Sequence, residues 1–321
     1  MTRHVELPSA ADIEAARQLV VEQLAPTPTV PVHLPGVDGE VWLKLESFQP
    51  TGSFKVRGAL VAVAAAAESG RPVVTASAGN HGLGVAYAAG RLGVPATVVV
   101  PTTASPAKVD ALRRLDVELV LHGDGYEHAE RHALDRAEQG AVFVSAYNDR
   151  RVIAGQATLA HEVVEQVGRA VTLVVPVGGG GLLAGVALGL AGEGGPTRIV
   201  GVEAEASPAV SAAISAGRIV PVPIAPTLAD GLAGNLEPGA VTPDAIRGRV
   251  HGIVPVDEEA IADAIRLLAT ECGVVAEGAA AVGVAALVRG AVPLDGPPVA
   301  VITGRHIAPD LLARVLTGGR S

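Results

Sequence analysis

Residues 170–192 read AVTLVVPVGGGGLLAGVALGLAG, 23 positions without a charge. By length alone such a run could cross a bilayer as a helix. Pro176 and the successive glycines Gly178, Gly179, Gly180 and Gly181 interrupt it. The run therefore divides into a buried β-branched strand, a glycine loop and a buried helix. Each glycine costs roughly 1 kcal/mol relative to alanine in regular structure. Four in a row are best explained by a loop whose N–H groups wrap a phosphate at a helix N-terminus. A flexible turn is one competing reading. A dinucleotide-binding fold is another, but the glycines are contiguous and only Glu203, at the end of the next strand, supports it.

The same alternation extends outward. β-branched runs at 41–45, 72–76, 96–100, 117–121, 141–145, 172–177, 198–203, 252–256 and 298–303 alternate with Ala-rich stretches. The latter cover 58–69, 81–92, 106–114, 125–139, 150–166, 182–191 and 258–272. Strand and helix in alternation argue for an α/β protein with parallel sheets. Ser105-Pro106 has the form of an N-cap followed by proline at the first helical position. No solenoid repeat and no low-complexity linker is visible, which fits domains between which the chain crosses back and forth.

The length of 321 residues suggests about two domains. Hydrophobic residues make up 49%, charged 18% and aromatic 2%, so the core must be built from Ala, Val and Leu, and disorder is excluded. A net charge of −9 argues against a broad nucleic-acid surface. A single cysteine, Cys272, excludes an intramolecular disulfide framework and a cysteine metal cluster. Residues 1–14 carry mixed charges and no apolar segment of signal-peptide type, so a cytoplasmic protein is expected. Only Lys44, Lys55 and Lys108 are lysines among 24 basic residues, which makes each worth inspecting.

Lys55 lies in Gln49-Pro-Thr-Gly-Ser-Phe-Lys-Val-Arg-Gly-Ala59, between a turn and an Ala-rich helix. A helix N-terminus disfavours a cation, so its pKa should fall toward the partly neutral amine that imine chemistry requires. A solvated surface lysine is the commoner reading of such a residue, and that reading is expected for Lys44 and Lys108. Ser77-Ala-Gly-Asn-His-Gly82 follows a strand and opens a helix. It can bind an anion through its amides, or be an ordinary capping turn. Thr303, in Ile302-Thr-Gly-Arg-His306 at the end of the last strand, could hydrogen-bond a heteroaromatic nitrogen or simply end the strand.

Taken together, in order and spacing, these segments resemble the fold-type II pyridoxal-phosphate enzymes of the threonine/serine dehydratase and serine racemase group. The resemblance runs from Pro26-Thr27-Pro28 and Lys44-Leu45-Glu46 through residues 151–156, 227–231 and 277–280 to Thr303. It implies two open, mostly parallel twisted sheets flanked by helices, the tryptophan synthase β-like architecture. Residues 1–70 and 148–321 would form a large cofactor-binding domain, and 71–147 a small mobile domain inserted in it. Lys55 would hold pyridoxal 5'-phosphate covalently through its amine, with Phe54 beside the ring. Asn80 would bond the phenolic oxygen, Gly178, Gly179, Gly180, Gly181 and Leu182 would cradle the phosphate, and Thr303 would meet the pyridine nitrogen. A hydroxyl there does not force that nitrogen to be protonated, which should favour prompt elimination over transamination. Ser77, Ala78, Gly79, Asn80 and His81 would hold the substrate carboxylate.

The implied activity is that of an ammonia-lyase that removes water and ammonia from L-threonine or L-serine and leaves a 2-oxo acid. Lys55 would take the Cα proton, and a homodimer or higher homo-oligomer is expected. Departures from the group's pattern narrow the choice. Racemases of this kind place a serine where this chain has Ala78, which argues for dehydration. Metal-dependent members use a Glu and groups four and six residues later, the last an Asp. Here Glu203 is followed by Ser207 and Ala209, so no tight divalent site is expected, although a monovalent ion stays open. Arg305 and His306 stand where the group has Gly and Asn, which leaves the pocket at the pyridine edge open. After Ser321 no regulatory domain of the biosynthetic threonine dehydratases is expected, and so no feedback by isoleucine. Rival readings are racemisation, β-replacement, elimination from 3-hydroxyaspartate or phenylserine, and a non-catalytic nucleotide- or cofactor-binding protein.

Overall fold

The computed structural model describes residues 3–167, 170–191 and 197–318. In chain order its strands are β1 Thr29–Val32, β2 Val41–Lys44, β3 Val73–Ala76, β4 Ala96–Val100, β5 Glu118–Leu121, β6 Val142–Phe143, β7 Thr172–Pro176, β8 Arg198–Ala204, β9 Ile253–Val256 and β10 Pro298–Val301. The helices are α1 Ala10–Gln23, α2 Lys55–Glu68, α3 Asn80–Leu92, α4 Pro106–Arg113, α5 Tyr126–Glu138, α6 Arg150–Val167, α7 Gly181–Gly189, α8 Ala209–Ala216, α9 Thr242–Ile246, α10 Glu258–Thr270, α11 Gly278–Val288 and α12 Pro309–Leu316.

Two sheets result. One has six strands in the order β1-β2-β10-β7-β8-β9, the other four in the order β5-β4-β3-β6. Every pairing is parallel except β1 with β2. The chain begins the larger sheet, leaves to build the whole smaller sheet between residues 73 and 143, and returns. Parallel strands covered on both faces need continuous apolar runs, and β4 and β7 are buried at every position. The lone indole, Trp42, lies in β2 and pairs with Val299 of β10.

The 23-residue uncharged run is β7, the glycine loop and α7, as read from sequence; its last residue, Gly192, lies outside the described residues. No described helix is long and apolar enough to cross a membrane. Helices α2, α6 and α7 approach closely through glycine. A Cβ on Gly155 would come within 2.6 Å of Gly58 Cα, and one on Gly185 within 2.7 Å of Ile153 O.

One expectation is overturned. Lys44 is not a surface residue: its side chain is fully buried, and Nζ donates to Thr27 O at 2.8 Å, Glu162 Oε1 at 2.5 Å and Gln166 Oε1 at 2.8 Å. Glu162 and Gln166 are one turn apart on α6. Glu162 Oε2 also accepts from Arg57 at 2.7 Å, and Arg57 grips Glu46 through two bonds of 2.7 and 2.8 Å. Two cations and two carboxylates therefore balance inside the large-sheet unit, two residues beyond Lys55. Lys108 is exposed, as expected, and pairs with Asp230 at 3.2 Å.

Candidate active site

The chemical motifs all lie just beyond the C-terminal ends of parallel strands, where open α/β sheets place their ligand crevices. The Ser77 loop follows β3, the glycine loop follows β7 and Thr303 follows β10. Lys55 opens α2, and the preceding segment is tied to the end of β10. Phe54 N donates to Thr303 O at 3.0 Å, and Ser53 forms an antiparallel bridge with Gly304.

Lys55 Nζ donates to Ala146 O at 2.8 Å and lies 5.2 Å from the centroid of the Phe54 ring. Burial lowers its pKa to about 8, against the pull of the Glu277 carboxylate. The direction is the one expected from sequence, but the leading cause is desolvation rather than the helix terminus. The residue after Ala146, Tyr147, carries the link to the glycine loop. A Cβ on Gly179 would lie 2.5 Å from the Tyr147 ring, one on Gly181 2.9 Å from Tyr147 Cα, and one on Gly178 3.0 Å from Leu232 Cα. Gly180 takes a φ of +82°, open to glycine and strained for other residues. No group among the described residues accepts from the N–H groups of Gly178, Gly179, Gly180, Gly181 or Leu182. The loop is thus a narrow cradle of free donors.

At the start of α3, Ser77 Oγ accepts from Gly79 N at 3.2 Å, and Ala78 packs on the apolar cluster of Val98, Val100, Val109 and Leu112. His81 is buried, and its Nε2 donates to Val144 O at 3.0 Å. Burial and the nearby Lys55 hold its pKa at about 3, so its ring is neutral. Asn80 Nδ2 donates to Glu277 Oε1 at 2.7 Å. Thr303 is buried, and its hydroxyl makes no hydrogen bond among the described residues.

Glu277 is a site residue that the sequence reading named only within a matching segment, without a role. Burial raises its pKa to about 7, opposed by the bonds from His306 N and Asn80. Its signal was present: it is the single charge in residues 272–288. Tyr147 was also missed, and nothing local in the sequence marks it. Glu203 spends its carboxylate on α8, accepting from Val210 N at 2.8 Å and from Ser211 N. Ser207 Oγ accepts from Gly234 N at 3.1 Å, and Ala209 opens the helix.

The family model described as pyridoxal-phosphate dependent enzyme matches residues 20–304. The chain belongs to this family. It is 43% identical over 285 residues to an L-threonine ammonia-lyase of Thermotoga maritima, covering 88% of this chain and 71% of that one. It is 38% identical over 255 residues to the catabolic L-threonine dehydratase of Escherichia coli K12, covering 78% and 77%. Among solved structures, a threonine deaminase from T.th. superposes with a TM-score of 0.86 at 35% identity over 94% and 99% of the two chains. Maize serine racemase gives 0.88 at 27% identity over 98% of each. The fold is that of the fold-type II pyridoxal-phosphate enzymes, and the residues present fit the family's cofactor. A cradle of free N–H donors suits a phosphate, a lysine with a lowered pKa suits an aldehyde, and an unpaired hydroxyl on the buried Thr303 suits a ring nitrogen.

Proposed function

We propose that the protein is a pyridoxal-phosphate-dependent ammonia-lyase that converts L-threonine, and L-serine as well, to a 2-oxo acid and ammonia. The observation that carries this reading is Lys55, an amine held at about 8 and joined through Ala146 and Tyr147 to a glycine cradle of unpartnered donors. The names of the relatives at 38–43% identity support the substrate class.

Bound pyridoxal phosphate would supply the electron sink that stabilises a negative charge at the substrate Cα. The chain supplies binding, orientation and proton transfer. Gly178, Gly179, Gly180, Gly181 and Leu182 would hold the phosphate through their N–H groups, with Phe54 beside the ring, Asn80 as donor to the phenolic oxygen and Thr303 at the ring nitrogen. The amides of the segment from Ser77 to His81 hold the substrate carboxylate at the start of α3, where a helix favours an anion. Neutral Lys55 takes the Cα proton. Its lowered pKa keeps a useful fraction of the amine unprotonated near neutral pH. Loss of the β-hydroxyl as water and hydrolysis of the remaining carbon–nitrogen bond then give the 2-oxo acid and ammonium.

Ala78 supports elimination over racemisation. A methyl carries no proton, so it cannot return one to Cα from the face opposite Lys55. Residues 71–147, which contain the smaller sheet, form the small mobile domain that brings the carboxylate-binding segment to the substrate. The protein acts in the cytoplasm as a homodimer or larger homo-oligomer, and its Glu203 region is not a tight divalent site. Incubation of the cofactor-loaded protein with L-threonine and L-serine should give 2-oxobutyrate and pyruvate. Formation of D-amino acid alone would overturn the assignment and the argument from Ala78.

A further inference from the structure

The turn after β10 carries a residue with no role so far. Arg305 N donates to Gly52 O at 3.1 Å and Arg305 Nη1 to Ser47 O at 2.5 Å, which fixes the turn against the lysine loop. The His306 ring lies over Gly52, where a Cβ would come within 2.8 Å of its Cε1. Its backbone N–H donates to Glu277 Oε2 at 3.0 Å, and its Nδ1 lies 2.5 Å from Asn80 Oδ1. The other end of the Asn80 carboxamide reaches Glu277 Oε1 at 2.7 Å.

A carboxamide has a donor end and an acceptor end of nearly the same shape, so packing alone does not choose its orientation. An amide that must donate to an oxygen anion needs its NH2 end on that side. Glu277 alone does not enforce this near neutrality. With a pKa of about 7 it is partly protonated there, and a protonated carboxyl can serve either end of the amide. A His306 that carries a hydrogen on Nδ1 can serve only the oxygen end, and Nδ1 carries that hydrogen in the charged ring as well as in this neutral tautomer. We propose that His306 is a positioning residue whose Nδ1–H holds the Asn80 carboxamide with its donor end toward the cofactor's phenolic oxygen. The inference rests on the reading above, in which Asn80 meets that oxygen.

The test compares wild type, His306→Leu and His306→Arg by absorption spectra of the loaded protein and by titration of the apoprotein with pyridoxal phosphate. In His306→Leu the visible band, which requires an ionised phenolic oxygen, should lose intensity to the near-ultraviolet band of the neutral form. Affinity for pyridoxal phosphate should drop about tenfold, the scale of one lost hydrogen bond. His306→Arg places a guanidinium there, which carries donors and no acceptor and can serve only the oxygen end of Asn80, and it should restore both. A leucine variant with wild-type spectrum and affinity overturns the proposal, whatever its melting temperature. So does an arginine variant that lacks the visible band, and this arm decides the matter alone if the leucine variant does not fold. A wild-type protein that takes up no pyridoxal phosphate removes the function reading and this inference together. A wild-type band indifferent to residue 306 removes the inference only.

Discussion

Lys44, Lys55 and Lys108 place the same ammonium in three media: a sealed ion network, a half-buried crevice and open water. Only the crevice leaves the amine without a carboxylate bonded to it, as the proposed chemistry needs. Lys55→Arg should keep the fold and the charge while losing both the visible band and 2-oxo acid formation, read by circular dichroism, absorption and a product assay. The buried amine also leaves a mark on stability. Lys55 is held at about 8 against an ordinary 10.5, so its contribution is full above 10.5 and is lost as pH falls through about 8. Glu277 is raised from 4.5 to about 7, so its contribution is full below 4.5 and is lost as pH rises through about 7. Near neutrality the apoprotein therefore bears both penalties. Apo Lys55→Met should melt above apo wild type there, and the gap should close toward the ordinary lysine pKa. A gap that stays constant with pH would contradict a desolvated amine. Lys55 was legible because lysine is scarce and its neighbours form a specific word. Lys44 was not, because its partners come from α6, more than a hundred residues away in the chain.

At the scale of elements, the strands that sequence showed best were those with continuous β-branched runs. The predicted 96–100 coincides with β4, and 172–177 exceeds β7 by one residue. β1 was missed because it is an edge strand containing Pro31 with no fully buried position. α11 is buried nearly all round and so shows no amphipathic stripe, while α1 buries only Ile13, Ala16 and Val20. The structure closes the start of α1 with a capping box of Ser9 and Asp12, a signal the sequence reading did not take up. The ion network joins β2, α2, α6 and the short turn Glu46–Phe48, and it anchors the helix that begins with Lys55. Removing one member strands a fully buried partner. Arg57→Leu should cost roughly 3–5 kcal/mol in urea unfolding, because Glu46 is left without its two guanidinium bonds. Lys108→Met should stay within about 0.5 kcal/mol, as expected of an exposed pair.

At the scale of the molecule, the two sheets meet around the site, and several polar bonds join their units directly, among them Lys55 Nζ to Ala146 O, Glu237 N to the Tyr147 hydroxyl and His306 Nδ1 to Asn80 Oδ1. Lys108 on α4 pairs with Asp230 of the large unit, and Asn80 at the start of α3 reaches Glu277. An exposed pair such as the first contributes about 0–1 kcal/mol, a weak latch suited to a hinge. If residues 71–147 move as proposed, adding L-threonine to the loaded protein should slow amide exchange at residues 77–81 and in α4, and leave α6 and β7 unchanged. Exchange that does not respond across 71–147 would contradict a mobile domain. The overall layout was readable in sequence because each glycine-bearing turn sits just after a strand. The facing of Asn80, Glu277 and His306 was not, because it depends on how the two units close on each other.

The indole in β2 has a practical consequence. Trp42 stands one strand over from the segment that ends in Thr303, and it is the chain's only tryptophan. Its ultraviolet emission overlaps the absorption of a pyridoxal chromophore, so the protein carries a built-in donor for energy transfer to whatever fills the glycine cradle. Loading the apoprotein should dim this single emitter in proportion to occupancy. Sites could then be counted by light alone, in variants such as those at Ala78 or His306, before any substrate is added.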